Sequence, residues 1–287
     1  MSNEHCVNKV DIREHYVVIF DPTQGNLAKT LAGRVKIKRR EGVLGNKEVR
    51  MSMKWGLDDL SSLNSWRLAA VEMLATALFV FLGTGAAYAS GGDITATALG
   101  HGVAIIALVA ATAKITGAHI NPAVTITMWA LGKDNLGKSL TYILGQLVGA
   151  VVGAYLLYSI VGEVAGEHAL GNSLTNITPV EGFLTEIIVT FALIATILAV
   201  AVHPQGKSWV TPSTAAVAIG LVVLVDHLVA IPLTGASMNP ARTFGPAVVA
   251  GNFADHWVYW AGPIVGGLVA AITYRYLMLS KDERAAE

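Results

Sequence analysis

The residues best placed to do chemistry fall in two short stretches that repeat the same types at the same spacing. One is Gly117-Ala118-His119-Ile120-Asn121-Pro122-Ala123-Val124-Thr125. The other is Gly235-Ala236-Ser237-Met238-Asn239-Pro240-Ala241-Arg242-Thr243. Asn is a strong N-cap, and Pro is favoured at the first helical position, where its missing N–H would be unsatisfied anyway, so each copy opens a helix. A helix start carries partial positive charge, and an Asn side chain adds two N–H donors. The chemistry on offer is hydrogen bonding and repulsion of cations, with no nucleophile beside a base. A single copy would be an ordinary helix start. Two copies 118 positions apart (239 minus 121), each preceded by Gly-Ala in an apolar region, point to an internal repeat.

The elements that must position these stretches are membrane helices. Of 287 residues, 53% are hydrophobic and only 14% charged, and the mean hydropathy is +0.55, too apolar for a soluble domain of this size. Apolar segments of spanning length arrive in series at about 67–89, 94–115, 138–161, 181–202, 212–232 and 257–279. The two Asn-Pro-Ala stretches open apolar segments at about 121–131 and 239–250, too short to cross, and these read as re-entrant half-helices. The expected fold is all-α: six transmembrane helices plus two half-helices.

Basic residues fix the orientation. Lys133, Lys138, Lys207, Arg275, Lys281 and Arg284 lie on one side with the N-terminal tail, while the opposite loops carry Asp93, Glu163, Glu167 and Asp255. Both termini are therefore expected on the cytoplasmic side. Residues 1–65 read as a basic, disordered cytoplasmic tail, since eleven of the twenty Lys and Arg lie between Lys9 and Lys54. The run Arg34-Val-Lys-Ile-Lys-Arg-Arg40 could touch anionic lipid head groups. Tyr16–Phe20 has strand character but no evident partner, and Met51 or Met53 would also serve as a chain start. Residues 281–287 form a second, short cytoplasmic tail.

Glu72-Met-Leu-Ala-Thr76 in the first helix matches Glu186-Ile-Ile-Val-Thr190 in the fourth, so the halves are about 66–165 and 181–280. Three spans per half is an odd number, which turns the second half upside down relative to the first. The half-helices then enter from opposite faces and meet by their N-termini. Non-helical backbone at membrane depth needs protein or a water-filled cavity around it, so these stretches should line a pore. A water there can accept from Asn121 and Asn239, which ties up its oxygen and turns its hydrogens along the pore.

With these features the chain over 66–280 resembles the aquaporins of the major intrinsic protein family, on its water-selective side. The resemblance implies a passive, tetrameric water channel in the plasma or vacuolar membrane. Water and the lipid bilayer are its partners, with small neutral solutes such as glycerol, ammonia or hydrogen peroxide as the alternative cargo. It also implies a narrow outer constriction of His101, His227, Ala236 and Arg242, twenty and twelve positions before the two Asn residues in the case of the histidines. Arg242 would donate to water and repel cations. Glycerol channels of the family usually follow this Arg with Asp; here Thr243 follows.

The same resemblance gives Glu72 and Glu186 the task of holding the re-entrant backbone, and His119 that of bracing its own loop. The sites are thus Asn121, Pro122, Ala123, Asn239, Pro240 and Ala241 at the pore, with the constriction and loop supports beside them. Gly145-x3-Gly149-x3-Gly153 and Gly262-x3-Gly266 allow close helix contact within or between subunits. His203 lies in a loop where a pH response is conceivable. No cofactor, metal or nucleic-acid partner is expected, and Cys6 is the one cysteine. An enzyme lacks support in the sequence, and a coupled transporter would want acidic ion sites at the midplane.

Overall fold

The computed structural model describes residues 17–18, 37–38, 55–162, 171–205 and 210–286. The chain divides into two units, residues 1–50 and 51–287. In the first, Val17–Val18 (β1) pairs antiparallel with Ile37–Lys38 (β2), Val17 opposite Lys38. Within the stretch Tyr16–Phe20, Val17 and Val18 therefore have a partner, in the basic run, where the sequence alternates Val35 and Ile37 with Arg34, Lys36 and Lys38 at the two-residue period of a strand. Cys6, Glu163, Glu167 and Lys207 lie outside the described residues.

The second unit opens with a 3-10 turn at Leu57–Ser61, inside the stretch read as tail. Its neighbourhood is tied to the body: Gly137 N donates to the Trp55 carbonyl (3.2 Å) and Asn135 Nδ2 to Asp59 (2.6 Å). Six helices long and apolar enough to cross a membrane follow, among the described residues. They are α1 (Leu63–Ala89), α2 (Ile94–Thr116), α4 (Leu136–Val161), α5 (Pro179–Ile197), α6 (Pro212–Thr234) and α8 (Val258–Thr273). Helices α5 and α8 each finish in a π turn, Leu198–Val202 and Tyr274–Met278. The half-helices are α3 (Pro122–Ala130) and α7 (Pro240–Ala250), and α9 (Lys281–Ala286) closes the chain.

Several spans start two to four residues before the apolar run does, because the caps lie outside it. Ser62 accepts from Ser65 N, Asn135 from Lys138 N, and Thr178 forms a reciprocal capping box with Glu181. Helix α6 runs to Thr234, where Gly235 takes the left-handed conformation (φ 73°) that ends it. Outward-facing Leu74, Leu144, Ile160, Ile188, Leu221 and Ile272 are exposed, as lipid-facing side chains must be.

The glycine series packs within the subunit. A Cβ at Gly145, Gly149 or Gly153 would run into the carbonyls of Ala69, Met73 and Ala77, so α4 lies directly on the α1 backbone. Gly262 and Gly266 do the same for α8 against α5, at Phe183 and Ile187. The pairs α1·α4 and α5·α8 occupy equivalent places in the two halves, as an inverted repeat requires.

Candidate functional site

Each of the two stretches donates backbone N–H groups to one glutamate. Glu72 Oε1 accepts from Thr116 Oγ1 (2.6 Å) and His119 N (3.0 Å), and Oε2 from Ile120 N (2.6 Å) and Gln146 Nε2 (2.9 Å). Glu186 Oε1 accepts from Thr234 Oγ1 (2.7 Å) and Ser237 N (2.9 Å), and Oε2 from Met238 N (2.7 Å). Both carboxylates are fully buried. Tyr142 and Tyr259 complete the match by donating to the carbonyls of Thr116 and Thr234, both at 3.0 Å.

The backbone so held is strained. Ala118, Ile120, Ala236 and Met238 all have positive φ between 52° and 57°. For side-chain-bearing residues each such conformation costs on the order of 1–3 kcal/mol, which the buried carboxylates offset by accepting the loop N–H groups. Asn121 and Asn239 cap α3 and α7 through Oδ1. Their Nδ2 groups cross to the opposite loop, Asn121 to the Met238 carbonyl (2.8 Å) and Asn239 to that of Ile120 (2.9 Å). Each amide therefore spends one hydrogen on the other loop and keeps one.

Both Asn residues line a cavity of about 450 Å³ that reaches from Val202 and Val210 through Val124 up to His227. Pro122, Ala123, Pro240 and Ala241 are buried where α3 and α7 begin. His119 sits on the cavity wall, with Nδ1 3.1 Å from Thr125 Oγ1 and Nε2 3.5 Å from Asp134.

At the far end of the cavity the two histidines and Arg242 come together. The rings of His101 and His227 stack with centroids 4.2 Å apart and 26° between planes. Each Nδ1 lies on the carbonyl one turn back, Thr97 at 3.0 Å and Val223 at 2.8 Å. A carbonyl only accepts, so Nδ1 carries the proton and Nε2 of each ring is an acceptor. Arg242 Nη2 stands 3.4 Å from His101 Nε2. His227 Nε2 and Arg242 Nε are buried and have no partner among the described residues, leaving an acceptor and a donor for whatever passes. Arg242 is 6% exposed. Ala236 enters differently: it is fully buried, and its N donates to Thr234 Oγ1 (3.2 Å).

Three participants escape a reading of the sequence. Asn172 accepts from Arg242 Nη1 and from Thr243 Oγ1 (2.8 Å), while its own amide donates to the Thr234 carbonyl (3.3 Å). It comes from a polar loop with no motif. Gln146 supports Glu72 from inside the glycine series. Asp226, next to His227, is buried with Oδ2 unpartnered among the described residues.

Residues 59–274 match the family described as Major intrinsic protein. The chain belongs to that family. Among its relatives, mouse Aquaporin-4 is 39% identical over 247 residues, 83% of this chain and 76% of that one. Aquaporin TIP2-1 of Arabidopsis thaliana is 40% identical over 237 residues, 79% and 93%. The solved X-ray structure of the aquaglyceroporin from Plasmodium falciparum superposes with a TM-score of 0.68 at 28% identity, covering 75% of this chain and 97% of its own. This major intrinsic protein is thus a multi-pass membrane channel of the aquaporin type, and not an enzyme.

Proposed function

We propose that the channel conducts water and excludes ions and protons. The observation that carries this reading is the meeting of His101, His227 and Arg242 at the end of the cavity that Asn121 and Asn239 line. The spare N–H of each Asn, at the positive ends of α3 and α7, donates to a water oxygen and leaves no acceptor for an incoming proton. A cation meets the same field and the buried guanidinium. Ala236, small and buried, leaves the girdle to the three polar residues. Aquaporin-named relatives at about 40% identity support water. The aquaglyceroporin likeness favours a second reading, passage of small neutral solutes such as glycerol, ammonia or hydrogen peroxide.

The channel assembles as a homotetramer in the plasma or vacuolar membrane, with both chain termini on the cytoplasmic side. The cavity lined by Val202 and Val210 then opens inward and the histidine–arginine girdle outward. Stopped-flow light scattering of proteoliposomes tests the proposal. Fast shrinkage in an impermeant osmolyte with slow re-swelling in glycerol is expected. Rapid glycerol entry favours the second reading, and rates equal to empty vesicles overturn both.

A further inference from the structure

We propose that Gly83, on α1, is the specificity-determining seat of the constriction: by having no side chain it fixes how far the His101 ring stands into the pore, and hence the size of solute admitted. The proposal rests on the channel reading above. A Cβ built at Gly83 meets one residue closely. Its three nearest neighbours are all His101 atoms, with Nε2 at 2.5 Å and Cε1 at 3.0 Å, so the imidazole lies against the bare α1 backbone. A ring atom cannot share that space with a methyl group.

The other walls leave the ring one way to move. Phe79 meets it edge-on at 5.7 Å and 81°, the Thr97 carbonyl holds Nδ1 at 3.0 Å, and His227 and Arg242 stand on the pore side. Any side chain at position 83 therefore pushes His101 toward His227 and Arg242, across the path.

The inverted repeat supplies an internal control. The two carboxylates differ by 114 positions (186 minus 72), which makes Ile197 the counterpart of Gly83 (83 plus 114). The 118 positions between the two Asn residues make Ile219 the counterpart of His101 (101 plus 118). Ile197 and Ile219 both line the wide cavity. Where the partner is aliphatic the seat holds a full side chain, and where it is a ring that must bring an acceptor to the pore the seat is empty. A glycine in mid-helix destabilises relative to alanine, so this one needs a compensating contact, and the imidazole provides it.

The test is permeability per channel in proteoliposomes for wild type, Gly83→Ala, His101→Ala and the double variant. Gly83→Ala should slow water about fivefold, the equivalent of about 1 kcal/mol, and glycerol further. In the His101→Ala background the same change should do nothing. Wild-type water flow in Gly83→Ala, or a double variant as slow as Gly83→Ala, would overturn the proposal. If Gly83→Ala does not reconstitute, the double variant against His101→Ala decides: equal yield and equal flow support it, a deficit in the double refutes it. A wild type no faster than empty vesicles would refute the channel reading and leave the seat untouched as geometry.

Discussion

Ile219, Val109 and Val124 along the cavity wall are the repeat counterparts of His101, His227 and Arg242 at its far end, each pair separated by the same 118 positions (101 to 219, 109 to 227, 124 to 242). All three aliphatic residues line the cavity of about 450 Å³, while their polar counterparts stand within hydrogen-bonding or stacking distance of one another. Yet the scaffolds behind them are duplicates: Glu72 and Glu186, Thr116 and Thr234, Tyr142 and Tyr259 make the same bonds. Duplication preserved what holds the loops and let the lining diverge. The comparison separates residues that hold the loops from those to which the proposed function gives the choice of solute.

The sharpest break would come at the shared scaffold. Glu72→Ala strips acceptors from four donors and Glu186→Ala from three, each buried unsatisfied donor costing about 1–3 kcal/mol. Both variants should lose yield and melting temperature in detergent, Glu72→Ala more. The reverse order would show that the number of donors does not set how firmly each loop is held.

Arg242→Val makes the outer position a copy of Val124. Glycerol and proton leakage should rise roughly tenfold, about 1.4 kcal/mol off the barrier, with the fold intact. Vesicle flux assays with unchanged selectivity would sink the filter role of Arg242.

Asn172→Ala leaves the guanidinium in place but removes the acceptor that Arg242 and Thr243 share. Selectivity should fall between wild type and Arg242→Val in the same assay. An effect as large as that of Arg242→Val would transfer the role to the loop.

The smallest effect lies at α9. Ser280 N–H, followed by the Ser280 hydroxyl, holds the Glu283 carboxyl below its ordinary value, with His203 and Gln205 also facing it. A depressed folded value means that the contact is complete above the unfolded value of about 4.3 and is lost as pH falls through the folded one. Amide exchange in α9 should therefore be indifferent to Glu283→Gln only in strong acid, and faster in the variant at neutral pH.

Much of this was legible in the sequence. Apolar composition and length located all six spans, and paired caps located both half-helices, because these signals are local. The carboxylates were legible as a repeat. What stayed hidden was contact made by groups with no periodic signature: Asn172 reaches Arg242 across 70 positions from an irregular loop, and Gln146 reaches Glu72 across 74 from a helix whose glycines draw the eye. Gly83 was equally silent, since an absent side chain shows its purpose only when the ring above it is placed.

The crossed amides also bear on how the chain is made. Asn121 needs the Met238 carbonyl and Asn239 that of Ile120, partners 117 and 119 residues apart. During synthesis the first half leaves the ribosome with its half-helix tip unfinished and its strained loop supported from within that half only, by Glu72, Gln146 and Tyr142, and it stays so until the seventh apolar segment arrives. The pore centre thus cannot be completed from the first half alone, and each half waits on the other for its tip.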